Sequence, residues 1–202
     1  MKRSLWLALL ILLAGVSVSL VAQAPAPQTP TDPIATALRT GFDNISRNVS
    51  ESAAKMPEAE FAFKPTKEVR SFGEILGHIA NTHYSYCSAV KGEKNPNAQN
   101  LETVTAKAEM VKAVNDSIDH CKAVYASMTD AKLLQPMPPP APATPPAAGA
   151  PAPRPTVPLN RLLGNLTHDW EHYGNLVTYL RLKGLVPPST ERATAGRGRG
   201  GN

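Results

Sequence analysis

The sequence predicts an all-α protein, a four-helix bundle with a Pro/Ala-rich insertion between the third and fourth helices. Four segments repeat apolar residues at the three- and four-residue spacing of an amphipathic helix. No segment alternates apolar and polar residues or carries the turn signal of a β-hairpin. Long helices that each have one apolar face bury it by packing together, which is the arrangement of a bundle.

The N-terminus has the layout of a secretory signal peptide over residues 1–24. Lys2 and Arg3 precede the apolar run Leu5 to Val21, and small residues follow. We expect export and cleavage, with the domain in the periplasm or outside the cell. The run is long for a signal peptide, so the alternative is an uncleaved membrane anchor. Residues 25–33 are a predicted linker, and the bundle is expected over residues 34–188.

The first helix is predicted from apolar residues that recur every three or four positions. These residues are Ile34, Leu38, Phe42, Ile45, Val49 and Ala53. Asp32 is the expected N-cap, and Pro33 suits the first helical position because its missing N–H is not needed there. Residues 56–70 contain two prolines and two phenylalanines, and we expect an irregular connector that is anchored by its aromatic rings.

The second helix has a clear start signal. Ser71 and Glu74 fit a capping box, in which hydroxyl and carboxylate each accept a hydrogen bond from a free backbone N–H. Gly92 and the Asn-Pro pair that follows end this helix. The third helix is predicted from about Glu102 to Met128 on its apolar stripe.

Residues 136–158 are rich in proline and alanine, so we expect an extended, exposed insertion. The fourth helix is predicted from about Leu159 to Lys183 and ends at Gly184. The apolar stripe expected to face the core is Leu159, Leu163, Leu166, Trp170, Tyr173, Val177 and Leu180. Residues 189–202, rich in glycine and arginine, are a predicted disordered tail.

The basic charge of the chain lies mostly outside the predicted bundle. The 21 Lys and Arg against 16 Asp and Glu give a net charge of +5. Lys2 and Arg3 account for two of these charges, and the C-terminal tail contributes two more. A nucleic-acid-binding protein concentrates charge on its fold, so we predict no nucleic-acid partner. A membrane partner is expected only if the N-terminal segment is not cleaved.

The two cysteines, Cys87 and Cys121, are compatible with one disulfide in an oxidising compartment. The alternative is two buried thiols that pack as small apolar side chains. The sequence does not decide between the two.

The most informative motif is His168-Asp-Trp-Glu-His172 on the fourth helix. Residues four apart share one face of a helix, so both imidazoles can reach one point. Neutral imidazole is a favoured ligand of Zn, Ni, Cu and Fe. The chain has three other histidines that could complete a metal site, namely His78, His83 and His120.

The helical positions of the histidines separate their roles. His168 and His172 lie about 150° from the centre of the predicted apolar stripe, on a face with Asn165, Asn175, Leu176 and Tyr179. Either the helix is contacted on two sides, or the pair lines a groove. His78 lies about 110° from the stripe of the second helix. His83 lies on that stripe and is expected to be buried with a hydrogen-bond partner, whereas His120 is expected on a solvated face.

The same motif fits the H-x-x-E-H pattern of zinc peptidases, with Glu171 in the position of the general base. Those enzymes need a larger α+β scaffold, so we consider the match accidental. Glu171 could still act as a base beside a metal-bound water.

Residues 63–80 and 165–181 together resemble the DinB-like superfamily, with the likeness extending over about residues 34–188. The resemblance implies a four-helix bundle that holds a divalent metal with three histidines. One histidine comes from the second helix and two, four residues apart, come from the fourth. Carried over to this chain, the ligands are His78, His168 and His172. Some relatives are transferases or isomerases that use small thiols, which an exported protein would lack.

Three imidazoles leave a coordination position open, as in catalytic rather than structural sites. The first hypothesis is therefore a metal-dependent enzyme of hydrolase or transferase type, with Zn, Ni or Fe and an unknown small-molecule substrate. Glu171 is the catalytic candidate, and His83, Asn81 and Tyr173 are candidates for supporting roles. The alternatives are a non-catalytic metal-binding or sensing module of the cell envelope and a purely structural bundle with a partner-binding loop. A homodimer is also considered.

Overall fold

The computed structural model describes residues 31–138 and 155–199, which form a helical bundle. Four long helices build it: α1 (Pro33–Lys55), α2 (Phe72–Lys91), α3 (Lys107–Ala126) and α5 (Pro158–Leu182). Two shorter helices are α4 (Asp130–Leu133) and α6 (Pro188–Arg199), and 3-10 turns occur at Glu58–Glu60 and Leu101–Thr103. The predicted all-α fold class is confirmed.

The core lies between two pairs of helices. Helix α2 packs against α3 and α5, and α1 packs against the same two helices. At the centre, the rings of Phe42 and Tyr125 stack at 4.3 Å between centroids, and both are fully buried. The connector after α1 is held by Phe61, which is 4% exposed and packs edge-on against Phe72. Its predicted anchoring by aromatic rings is confirmed.

The start of α2 is fixed by the predicted capping box. The Ser71 hydroxyl accepts from the backbone N–H of Glu74, and the Glu74 carboxylate accepts from that of Ser71. The helix ends at Gly92, whose φ of 69° is in the left-handed region that favours glycine.

Helix α1 begins where predicted, but its cap comes from another part of the chain. Asp32 occupies the N-cap position without capping α1, and its side chain accepts from the N–H of Asp130. The carboxylate of Asp130 in turn accepts from the N–H groups of Ile34 and Ala35. The two aspartates therefore hold the starts of α1 and α4 together, a long-range exchange that a local sequence pattern does not reveal.

Helix α3 begins five residues later than predicted, at Lys107, because Leu101–Thr103 forms a separate 3-10 turn packed on α2. Cys87 of α2 and Cys121 of α3 form a disulfide with Cα atoms 5.4 Å apart. Of the two states that the sequence allowed, a disulfide or two buried thiols, the structure has the disulfide.

The predicted insertion and tail are described in part. Met137 and Thr156 form an isolated antiparallel bridge at the base of the Pro/Ala-rich segment, and residues 139–154 lie outside the described residues. The expected disorder of residues 189–202 is wrong for residues 189–199, which belong to α6. Helix α6 is held by contacts with the bundle. Ser189 is hydrogen-bonded to Tyr173 of α5. Arg192 forms an ion pair with Glu51 and a hydrogen bond with Asn48, both on α1.

The predicted signal peptide, residues 1–24, lies outside the described residues, as does the linker up to residue 30. Within the described ranges, no helix combines the length and the apolar character needed to cross a bilayer.

Candidate metal centre

The structure brings together the three histidines that were expected as metal ligands. His78 comes from α2, and His168 and His172 come from successive turns of α5. One nitrogen of each ring lies within 4.8 Å of the others, and the ring centroids are 4.3–5.0 Å apart. His172 is buried, and the other two rings are half-buried. Among the described residues this is the only group of His, Cys, Asp or Glu side chains with that geometry.

The face of α5 that carries the histidines points into the bundle, which corrects the prediction of the apolar stripe. The buried positions on this face are Leu162, Asn165, Asp169, His172, Leu176 and Tyr179, spaced by three and four residues. In contrast, Leu163 and Trp170 of the predicted stripe are 46% and 42% exposed. The stripe was misassigned because the site buries polar side chains that hydropathy counts as surface. Tyr173 and Leu180 are also buried, so α5 is contacted on two sides.

Two of the histidines have carboxylates at their Nδ1 atoms. Glu102, just after the start of the 3-10 turn, places Oε1 at 2.9 Å from Nδ1 of His78. Asp169 places Oδ1 at 3.7 Å from Nδ1 of His168. A carboxylate on Nδ1 leaves Nε2 free for a metal and is the usual support of a metal-binding histidine.

Both carboxylates favour the ionised state. Burial alone would raise the pKa of Glu102, but its hydrogen bonds with Arg70 and His78 outweigh burial and lower that pKa. Burial would likewise raise the pKa of Asp169, yet His83 and His168 hold the pKa below its usual value. An ionised carboxylate can only accept a hydrogen bond, so Nδ1 of His78 must carry a proton.

No single position for the proton of a neutral His168 suits both of its neighbours, His78 and Asp169. Its Nε2 lies 3.0 Å from Nε2 of His78, which carries a lone pair when that ring is neutral. If neutral His168 donates through Nε2, its Nδ1 lone pair faces the Asp169 carboxylate. If it donates through Nδ1, two Nε2 lone pairs face each other. Consistent with this, Nδ1 of His168 and Oδ1 of Asp169 are buried and have no hydrogen-bond partner.

A cation between the Nε2 atoms removes the conflict, because both lone pairs then point at positive charge. The 3.0 Å separation matches two nitrogens bound at about 2.1 Å at right angles to each other, and tetrahedral binding would widen it to about 3.4 Å. His172 suits the same role: burial, aided by the neighbouring His168 and His78, lowers its pKa to about 4. It is therefore neutral at pH 7, the form that binds metals.

His83 confirms its predicted role as a buried histidine with hydrogen-bond partners. Its Nε2 lies 2.9 Å from Oδ2 of Asp169, and its Nδ1 lies 3.0 Å from Oγ of Ser117. The Ser117 hydroxyl donates to the carbonyl of Val114, so towards His83 it acts as an acceptor. His83 thus connects the metal centre to α3.

The other candidate residues lie around the site but not in it. Asn81 bonds with Asn100 and Leu101 and so holds the segment that carries Glu102. Tyr173 points away, towards Ser189 of α6. Glu171 is exposed, and its proximity acts against the lowering of the pKa of His172. His120, expected on a solvated face, is half-buried beside Ser88.

Sequence reasoning missed Glu102, Asp169 and Arg70. Asp169 stands inside the histidine motif itself, and its position on the histidine face was a usable signal. Glu102 and Arg70 lie outside regular helix, 24 and 8 residues from His78 along the chain, and no local pattern connects them with it.

Comparison with known proteins agrees with this geometry. The family model described as the DinB superfamily matches residues 42–176, a range that contains all three histidines. The chain belongs to the DinB superfamily. No curated protein gives a significant match to its sequence.

Two solved structures share the fold of this DinB-superfamily chain. A DinB-like protein from Bacillus cereus is 12% identical with a TM-score of 0.60, and the match covers 76% of this chain and 95% of that one. A conserved protein from Enterococcus faecalis is 14% identical with a TM-score of 0.56, covering 73% and 95% respectively. At these identities the likeness concerns the fold alone.

Proposed function

We propose that this protein is an exported, metal-dependent enzyme of hydrolase or transferase type that holds a divalent transition metal with His78, His168 and His172. The observation that carries the proposal is the contact between Nε2 of His78 and Nε2 of His168. With neutral rings, no arrangement of protons satisfies both this contact and the one to Asp169. A metal ion satisfies both, whereas without metal a second proton on His168 would be needed, and elemental analysis separates the two cases.

The donor set supports a catalytic rather than a structural role for the metal. Three imidazoles leave a position for water or substrate, and a bound metal there would acidify water or polarise a carbonyl group. The site also borders a groove of about 630 Å³, a size typical of small-molecule sites. Zn, Ni and Fe all accept imidazole ligands.

The chain's own residues would hold the ligands in place. Glu102 would orient His78 through the hydrogen bond to Nδ1, and Asp169, which His83 fixes from the core, would place its charge beside Nδ1 of His168. Glu171, exposed next to His172, is the proposed general base. Its charge and exposure would let it exchange a proton with water at the mouth of the site.

Export is supported by the disulfide between Cys87 and Cys121. Such bonds persist in oxidising compartments and are rare in the cytosol. The basic and apolar N-terminal residues are the second support.

Elemental analysis of the purified protein tests the metal site. We expect one equivalent of a transition metal, lost in each of the variants His78→Ala, His168→Ala and His172→Ala. His120→Ala is the matched control, since this half-buried histidine lies outside the cluster. Metal that stays bound in all three ligand variants would overturn the site.

Turnover separates an enzyme from a non-catalytic metal-binding module. The metal-loaded protein is assayed with ester and amide substrates and with thiol adducts, beside the three ligand variants. An enzyme shows turnover that the ligand variants lack, and Glu171→Gln lowers the rate without releasing the metal. A fully loaded protein that is inactive throughout the panel contradicts the catalytic proposal but leaves the metal site standing.

A further inference from the structure

The groove beside the three histidines is lined by both charged and apolar side chains. His172, Asn175 and Glu102 line it; His172 belongs to the histidine cluster, and Glu102 contacts His78, so this part of the groove lies next to the proposed metal. Val69, Pro65 and Ile75 contribute apolar surface, and Tyr179 closes one side. A ligand in this groove would therefore have an apolar body, with one end at the histidines and the other near the residues before α2.

Three cationic residues line the groove, and two of them have a close acidic partner. Lys64 pairs with Glu74 at 2.8 Å, and Arg70 pairs with Glu102 at 2.9 Å. Lys67 is 92% exposed and lies only loosely, at 3.8 Å, beside Glu68. The three lining carboxylates thus balance the three cations, and a divalent ion on neutral imidazoles would leave the groove with a positive excess.

Arg70 is the cation of the groove that is best placed to bind an anionic ligand. Its Nε donates to Oε2 of Glu102, while Oε1 of the same carboxylate bonds with His78. Among the described residues, neither terminal nitrogen of Arg70 makes a hydrogen bond, and its side chain is 43% exposed. The backbone is held by Tyr179, whose hydroxyl donates to the carbonyl of Arg70 at 2.6 Å. Arg70 is therefore fixed at its backbone and at Nε, with two donors free.

A guanidinium with two free donors matches a planar oxyanion. Carboxylate and phosphate groups accept paired hydrogen bonds from arginine, an arrangement that is stronger and more directional than a contact with lysine. A cationic ligand end has a weaker partner here, because Glu74 and Glu102 are engaged by Lys64 and Arg70, and the remaining carboxylate, Glu68, is exposed.

We propose that the substrate carries an acidic oxyanion group that Arg70 binds, while its reacting group lies at the three-histidine metal. The inference rests on the proposed metal site and adds the substrate class. Arg70 also connects the proposed oxyanion site with the proposed metal site, because the carboxylate of Glu102 contacts both Nε of Arg70 and Nδ1 of His78.

The test uses the full-length mature protein loaded with Co²⁺, whose visible absorption responds to new ligands at the metal. Dicarboxylates from malonate to adipate are titrated, each beside its monoamide, in which one acidic end is neutral. We expect at least one dicarboxylate to bind about tenfold more tightly than its monoamide, the effect of one charge-assisted hydrogen bond. The preference should disappear in Arg70→Gln and persist in the matched variant Lys67→Gln. Phosphonate analogues of the best ligand then distinguish a carboxylate site from a phosphate site.

The possible outcomes distinguish a failure of the oxyanion site from a failure of the metal site. Equal binding of acids and amides at every length overturns the inference, as does a preference that survives in Arg70→Gln. A preference lost equally in Lys67→Gln also overturns it, because general surface charge would then be the cause. Wild-type protein that takes up no cobalt contradicts the metal site itself. Because Arg70→Gln also removes a partner of Glu102, cobalt is kept saturating, and Arg70→Lys provides a second variant that keeps the charge.

Discussion

The carboxylate of Asp169 connects the buried His83 with the metal-site histidine His168. Its Oδ2 lies 2.9 Å from Nε2 of His83, and its Oδ1 lies 3.7 Å from Nδ1 of His168. The side chains of Asp169 and His83 are 1% and 0% exposed. One oxygen of this buried carboxylate is hydrogen-bonded to His83 and the other makes a longer polar contact with His168, so the core of the bundle and the three-histidine cluster share one polar connection.

Replacing Asp169 with asparagine should weaken metal binding and destabilise the fold. Asparagine removes the negative charge that lies beside Nδ1 of His168, and groups that support metal-binding histidines contribute about 10–100-fold to metal affinity. Asparagine keeps an oxygen that can accept from His83 but removes the charge of this buried pair, which costs about 3 kcal/mol. Chelator competition measures the affinity, and denaturant titration of the metal-free protein measures the stability.

Asp116→Asn is the control for this variant, because Asp116 is half-exposed and pairs only with Lys112 among the described residues. An exposed pair contributes less than about 1 kcal/mol, so little change is expected. Unchanged metal affinity in Asp169→Asn would show that Asp169 serves the core alone.

Gly77 allows the segment that carries Glu102 to approach α2. A Cβ atom at this position would lie 2.3 Å from the backbone oxygen of Leu101, which cannot move without shifting Glu102. Gly77→Ala should therefore cost about 2 kcal/mol of stability, as overpacking does, and weaken metal binding through His78. Thermal unfolding and chelator competition measure the two effects.

Gly174→Ala is the matched comparison on α5. It lies two residues from His172, and nothing is within 4 Å of a Cβ added there. Alanine should stabilise this helix by about 0.5–1 kcal/mol and leave the metal affinity unchanged. Equal behaviour of the two alanine variants would contradict the packing role of Gly77.

The fold and the cluster of three histidines were accessible from the sequence because they depend on local patterns. The capping box of Ser71 and Glu74 fixes the start of α2, and the four-residue spacing of His168 and His172 fixes their shared face. The choice of His78 over His83 followed from the position of each on the helix and from the family resemblance.

The carboxylates beside the histidines, Glu102 and Asp169, could not be predicted from local sequence patterns in the same way. Glu102 meets His78 only because a 3-10 turn folds back on α2, which requires the close approach at Gly77. The buried face of α5 was misjudged because Asn165 and Asp169 are polar and fully buried, while Leu163 and Trp170 are apolar and exposed. Hydropathy cannot identify a buried polar face whose side chains are stabilised by hydrogen bonds.

The Cys87–Cys121 disulfide should be the main covalent contribution to stability. It joins α2 to α3 across a sequence separation of 34 residues, one turn from the contact between His83 and Ser117. Closing a loop of this size stabilises a fold by about 4 kcal/mol. The double variant Cys87→Ala/Cys121→Ala should lose that amount in denaturant titration. Reductant should destabilise the wild type and leave the variant unaffected; equal sensitivity would contradict the disulfide.

Glu74 should make the stability of the bundle depend on pH. Its hydrogen bonds with Lys64 and with the N–H of Ser71 lower its pKa below the usual 4.5, although burial acts in the opposite direction. A carboxylate with a lowered pKa stabilises the folded state above the unfolded pKa, and that contribution disappears as the pH falls through the folded pKa. Glutamine keeps the hydrogen bond to Ser71 but has no charge.

Glu74→Gln should therefore lower the free energy of unfolding by about 0.5 kcal/mol at pH 7, a small effect because both partners are partly exposed. The difference from wild type should shrink towards zero as the pH falls below 4.5. Glu109→Gln is the control at the corresponding position of α3, where Ala106 offers no capping hydroxyl and a smaller change is expected. Denaturant titration from pH 3 to pH 7 measures the difference, and a constant gap across that range would exclude the charge of Glu74 as its cause.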